Sequence, residues 1–117
     1  MNNKALITLL LFVLLGVKPL FAQEEISKEC ISNSSISHEA VKSENYKDAY
    51  KPWKVVIKDC PLLRFYTFTD GYKILKGLMD EIGDKNSPEY KKYFEELMAT
   101  HDLRIKSTPD FLAKGVN

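Results

Sequence analysis

"NYKDAYKPWKVVIKDCP" occupies residues 45–61. Its apolar positions Ala49, Tyr50, Trp53, Val56 and Ile57 recur at the i, i+3, i+4, i+7 spacing of one buried helix face. That spacing predicts a helix over Tyr46–Asp59. Cys60-Pro61 ends it, because the residue before a proline is pushed out of the α region. Ala49 stands between two large side chains, Tyr46 and Trp53. Two antiparallel helices need a small residue where they approach and large residues filling the space around it. Ala49 fits as the close-contact point, Tyr46 and Trp53 as the flanking wedges, and Pro61 as the turn into a second pair.

Working outward, three more helical segments and no convincing strand follow. Upstream, roughly Ile31–Ser43 is Ser-rich and a poor helix former, with a thin apolar stripe at Ile36 and Ala40. Downstream, roughly Arg64–Ile82 sets Phe68, Tyr72, Leu75, Leu78, Met79 and Ile82 on one face. "GDKNSP" punctuates the chain. Ser87 is a good N-cap, Pro88 suits the first turn, and Glu89 favours the positive end of a helix. The last helix is expected to run to about Lys106, with Tyr90, Phe94, Leu97, Met98, His101 and Ile105 on its apolar stripe, and to stop at Thr108-Pro109. The fold class is therefore all-α, built of antiparallel helical hairpins.

The amino terminus reads differently. Lys4, an apolar run from Ala5 to Val17, the Lys18-Pro19 break and "LFA" have the layout of a secretory signal peptide over residues 1–22. At about 13 residues the run is short for a bilayer span, and no stable span is expected after cleavage. Removing it leaves about 95 of the 117 residues, enough for one small domain with a modest core. Residues 23–29 are expected to be a polar leader. The net charge of +1 argues against an electrostatically driven nucleic-acid binder. In an exported chain the two cysteines, Cys30 and Cys60, read as one disulfide.

Catalytic patterns are missing from the sequence. The two histidines, His38 and His101, form no HxxxH or HExxH. His101 falls on an apolar stripe and is expected to be packed. Asp80-Glu81 and Glu95-Glu96 are sequence neighbours whose side chains diverge, whereas general acid–base work needs carboxyls converging on one substrate. With no nucleophile elbow, Walker loop or dinucleotide fingerprint, no catalytic residue, metal or cofactor is expected, and the protein reads as a non-enzyme.

The order Tyr46, Ala49, Trp53, Val56, Pro61 resembles the second half of a tetratricopeptide repeat, whose period is about 34 residues. Placing Pro61 late in the repeat puts Cys30 at its start, and one period later lies Arg64, where the third helix begins. Ser37 and Gly71 then share the small-residue position of successive repeats. "YKDAYKPWKVVIKDCP", "DGYKIL" and "ELMATHDLRIK" are similar to the opening of exported bacterial tetratricopeptide proteins. The resemblance implies a first repeat over residues 30–63 and a second, irregular hairpin over 64–108. Residues 109–117 would be a tail or the start of a third repeat. It also implies a location beyond the inner membrane: periplasmic, outer-membrane-associated or secreted from a Gram-negative bacterium. In this register Cys30 starts one helix and Cys60 ends its antiparallel partner, which sets them within disulfide reach.

The function implied is that of a protein-interaction module. The first helix of each pair lines a concave surface in such repeats. Those positions here are Ile31, Ser34, His38, Val41 and Lys42, followed by Phe65, Phe68, Tyr72, Leu75 and Lys76. Periodicity also claims Phe68, Tyr72 and Leu75 for a buried face; burial is the better reading for Leu75, and Phe68 and Tyr72 stay open. Ile31, His38, Val41, Phe68 and Tyr72 are the candidate contacts for a protein or peptide partner. The alternative expectation is a structural one: a capping start of a longer array, whose aromatic surface meets the next repeat of its own chain. An enzyme or small-ligand carrier is the remote alternative.

Overall fold

The computed structural model describes residues 26–113, which hold four helices and no strand. Helix α1 spans Lys28–Lys42, α2 Tyr46–Asp59, α3 Tyr66–Ile82 and α4 Pro88–Ala113. The signal-peptide reading and residues 114–117 lie outside the described residues.

Helix α1 begins three residues before the expected Ile31, inside the segment read as a polar leader. Ser27 caps it by accepting a hydrogen bond from the Cys30 amide at 3.1 Å. At its other end Glu44 takes a left-handed conformation, φ 58°. The Glu44 amide bonds the Val41 carbonyl at 2.9 Å and the Asn45 amide bonds the Ala40 carbonyl at 2.8 Å. This pair of bonds is the Schellman ending. It reverses the chain within three residues and lays α2 antiparallel on α1. Asn45 then caps α2 through the Asp48 amide. Pro52 removes one helical donor of α2 without ending it.

The Cys30–Cys60 disulfide joins the start of α1 to the end of α2, with Cα atoms 6.5 Å apart. Gly83, at φ 73°, ends α3, where only a glycine enters that region without penalty. Ser87 caps α4 by accepting from the Tyr90 amide at 3.2 Å. The expected stop at Thr108-Pro109 does not occur, and residues 109–113 continue α4. Thr108 Oγ1 donates to the Arg104 carbonyl at 2.8 Å. The last turns are mostly exposed, so water can serve the Ile105 carbonyl that Pro109 leaves without a donor.

The core lies where α3 settles against both members of the first hairpin. Val41, Ala49, Trp53, Ile74, Leu75, Leu78, Met79 and Leu97 form it, edged by Tyr46, Tyr50, Ile57, Tyr90 and Tyr93. Trp53 is fully enclosed, and its Nε1 donates to the Thr67 carbonyl at 2.9 Å. Two glycines of α3 make room for the aromatic residues of α2. A Cβ on Gly71 would meet the Trp53 ring, and one on Gly77 the Tyr46 ring. Val56 is buried and Pro61 half-buried beside Cys60.

Two apolar assignments differ from expectation. On α1 the buried positions are Cys30, Ser34, Ser37 and Val41, whereas Ile36 is exposed. Small residues face inward because the neighbouring backbones pack close. On α4 the buried seam is Leu97, Thr100 and Ser107, with Tyr90 and Tyr93 half-buried; Phe94, Met98 and Ile105 are exposed. The seam follows alternating steps of three and four, and the second apolar row lies roughly 90° around the helix at 100° per residue.

Candidate functional site

The residues singled out as partner contacts do not form one open groove. Along the seam between α1 and α3, His38 Nδ1 lies 2.7 Å from Asp70 Oδ2. The imidazole also stacks on Tyr66, ring centroids 3.8 Å apart. Asp70 is buried, and burial pushes its carboxyl above the usual range, opposed by the hydrogen bond and charge of His38 and by Lys73 and Lys42. Ser37 Oγ donates to the Ser34 carbonyl beside this pair. Among the described residues no hydroxyl or thiol is hydrogen-bonded to His38. No group of three or more His, Cys, Asp or Glu is placed to hold a metal ion among the described residues.

Val41 corrects the sequence reading, and Phe68, left open between a buried face and a partner contact, takes the buried place: neither is available to a partner. Ser34 and Leu75 are buried as well. Ile31 is exposed at the outer edge of α1. Lys42 and Lys76 pair with Glu39 and Asp80 on their own helices. Phe65 lies under the Arg104 guanidinium, 5.7 Å from ring centroid to carbon. Tyr72 is exposed, its ring 6.1 Å from that of His101.

Sequence reasoning missed the surface that Tyr72 belongs to. Beside it on α4 run Phe94, 48% exposed, Met98, 41%, and Ile105, 71%, with His101 between them. Their spacing was legible; that this row faces solvent was not. No helix among the described residues is long and apolar enough to cross a membrane, so the row is not part of such a span.

On the opposite side, α4 meets α2. The Tyr50 hydroxyl donates to both Glu96 oxygens, at 2.7 and 2.8 Å, and Lys54 approaches the same carboxylate at 3.4 Å. Burial and the Glu96 carboxylate raise the Tyr50 pKa far above the ordinary phenol value, so the proton stays on the hydroxyl. Tyr50 and Tyr93 meet edge to face at 5.4 Å. A cavity of about 390 Å³ opens beside them, lined by Lys47, Tyr50, Leu78, Glu81, Ile82, Glu89 and Tyr93. Beyond the Tyr50–Glu96 bridge lies a smaller one of about 150 Å³.

Comparison of the chain with protein-family models, with curated proteins and with solved structures finds no match.

Proposed function

We propose that the protein is an exported, non-catalytic protein-interaction module built of tetratricopeptide-like hairpins, and that its partner presents a helix to the open face of the second hairpin. One observation carries this. On α2 the seam Tyr46, Ala49, Trp53, Val56 is flanked by the row Tyr50, Lys54, Ile57. That row turns toward α4, through Tyr50 to Tyr93 and Glu96 and through Ile57 into the smaller cavity. On α4 the seam Tyr90, Tyr93, Leu97, Thr100 repeats the same steps. Its flanking row, Phe94, Met98, His101, is the counterpart of Tyr50, Lys54, Ile57, yet Phe94 and Met98 are exposed and His101 is only half-buried. A helix lying on α4 as α4 lies on α2 would cover it. Contiguous apolar patches of this kind mark interaction sites on soluble proteins. The disulfide supports an oxidising compartment.

A second reading rests on the same counterpart rows: the covering helix comes from a further repeat of the same chain, and the described hairpins cap a longer array. A photo-crosslinking residue at position 98, incorporated in the source cells, separates the two. A defined adduct with another protein, abolished by F94S and I105S at unchanged melting temperature, supports the module. An intramolecular adduct supports the cap. If the substitutions unfold the protein, or position 98 gives no adduct, the face is not a docking surface.

A further inference from the structure

The cavity between α2, α3 and α4 has features that the helix-docking face does not use. Leu78 and Ile82 of α3 line it together with Tyr50 and Tyr93, whose rings meet edge to face. At about 390 Å³ it falls at the lower end of small-ligand sites, which are mostly apolar with a few polar groups at fixed places. Here the polar groups sit at the mouth: Lys47 from α2, Glu81 from the end of α3 and Glu89 from the first turn of α4.

Among the lining residues two carboxylates stand at this mouth against one ammonium. Lys47 Nζ pairs with Glu81 Oε1 at 3.2 Å, across the mouth from one helix to another. Both side chains are more than half exposed, so the pair is weak and exchangeable. Glu89 has no ion-pair partner among the described residues. Two further charged groups contact the same tyrosines. Lys92 lies over the Tyr50 and Tyr93 rings, at 5.9 and 5.5 Å from their centroids. Glu96 is held by Tyr50 and Lys54 on the far side of the bridge. Among the residues that line the cavity, Glu81 and Glu89 are thus the two anionic groups, set beside apolar and aromatic side chains.

We propose that this cavity binds a small organic cation: a primary amine carried on an aromatic or branched-alkyl body. The body fills the space between Tyr50, Tyr93, Leu78 and Ile82. The ammonium lies between Glu81 and Glu89, in the place that the Lys47 ammonium now partly supplies. An anionic ligand of the same shape is repelled by both glutamates. A neutral one gains the apolar contacts alone. Lys47 acts as a competitor for the ligand's own site, which gives the proposal a sign that a nonspecific apolar hole lacks.

The test is a titration of the isotopically labelled full chain with 2-phenylethylamine, 2-phenylethanol and 3-phenylpropionate, followed by NMR. The amine should shift Leu78, Ile82 and Tyr93 and bind more tightly than the alcohol, with the carboxylate weakest. E89Q should weaken the amine severalfold and leave the alcohol unchanged. K47A should tighten the amine about two- to fivefold, the range of an exposed ion pair. Position 47 is largely exposed and Glu89 exposed, so neither variant disturbs the core. Equal binding of the three probes, shifts confined to other residues, or weaker amine binding by K47A would each overturn the proposal. None of these outcomes depends on the α3–α4 docking face.

Discussion

Gly71→Ala tests whether the fold depends on the fit of α3 against Trp53. A Cβ at position 71 would lie 2.8 Å from Trp53 Cε2, closer than real Cβ atoms come, and 3.0 Å from Nε1, at the tight limit of such contacts. The indole has no room to retreat. It is 2% exposed and its Nε1 is tied to the Thr67 carbonyl at 2.9 Å. Alanine gains about 1 kcal/mol of helix propensity over glycine. Against this stand about 1–3 kcal/mol for overpacking and about 1 kcal/mol for a disturbed buried hydrogen bond. The net expectation is a destabilisation of about 1–3 kcal/mol, or roughly 5–15 °C in Tm for a domain of this size. Gly77→Ala is the internal control. Its added Cβ would lie 2.7 Å from Tyr46 Cε2, but Tyr46 is only half-buried and its ring can swing toward solvent. The gain and the clash then nearly cancel, leaving a change of about 1 kcal/mol or less. Urea and thermal unfolding, with Trp53 emission as the probe, measure both. A G71A protein as stable as the parent, beside a G77A protein that is severely destabilised, would refute the claim that the Trp53–Gly71 approach fixes the second hairpin on the first.

Two further outcomes follow from the same structure. The Cys30–Cys60 bridge closes a separation of 30 residues, so Cys30→Ser with Cys60→Ser should lower stability by about 3–4 kcal/mol in the chain-entropy treatment. Amide exchange should rise first in the Ser-rich α1; unchanged protection there would show that the staple is idle. For Asp70, burial holds the folded-state pKa above the ordinary carboxylate value, with His38, Lys73 and Lys42 pulling the other way. A raised pKa contributes stability below the ordinary carboxylate value and loses it as pH rises through the folded value. The stability of the parent relative to Asp70→Asn should therefore increase on acidification from neutrality toward pH 4. A difference that is flat or slopes the other way would mean that the His38 contact outweighs burial.

The course of the chain was largely written in its punctuation. The apolar spacing from Ala49 to Ile57 marks α2, Cys60-Pro61 ends that helix, and Ser87-Pro88 opens α4. These are local signals: a cap, a missing donor and a backbone restriction act on the residues that carry them. Ala49, Trp53 and Val56 could be named as a buried face because α2 has one dominant apolar stripe. Pro109 shows the limit of such signals. Its missing amide is tolerated in an exposed last turn, and nothing in the residue itself says how exposed that turn will be.

The sequence by itself determined the four helices, the reversal between α1 and α2, the inward face of α2 and the pairing of Cys30 with Cys60. Tertiary structure alone decided which of the two apolar rows of α4 is covered, that Ser34 and Ser37 go inside while Ile36 stays out, that Val41 and Phe68 are core, and that His38 meets Asp70. The physical reason is that periodicity fixes which residues share a face, whereas burial depends on which faces find a neighbour. On α4 the Tyr90–Leu97 seam finds the core and the Phe94–Ile105 row finds solvent, although both rows carry the spacing of a core.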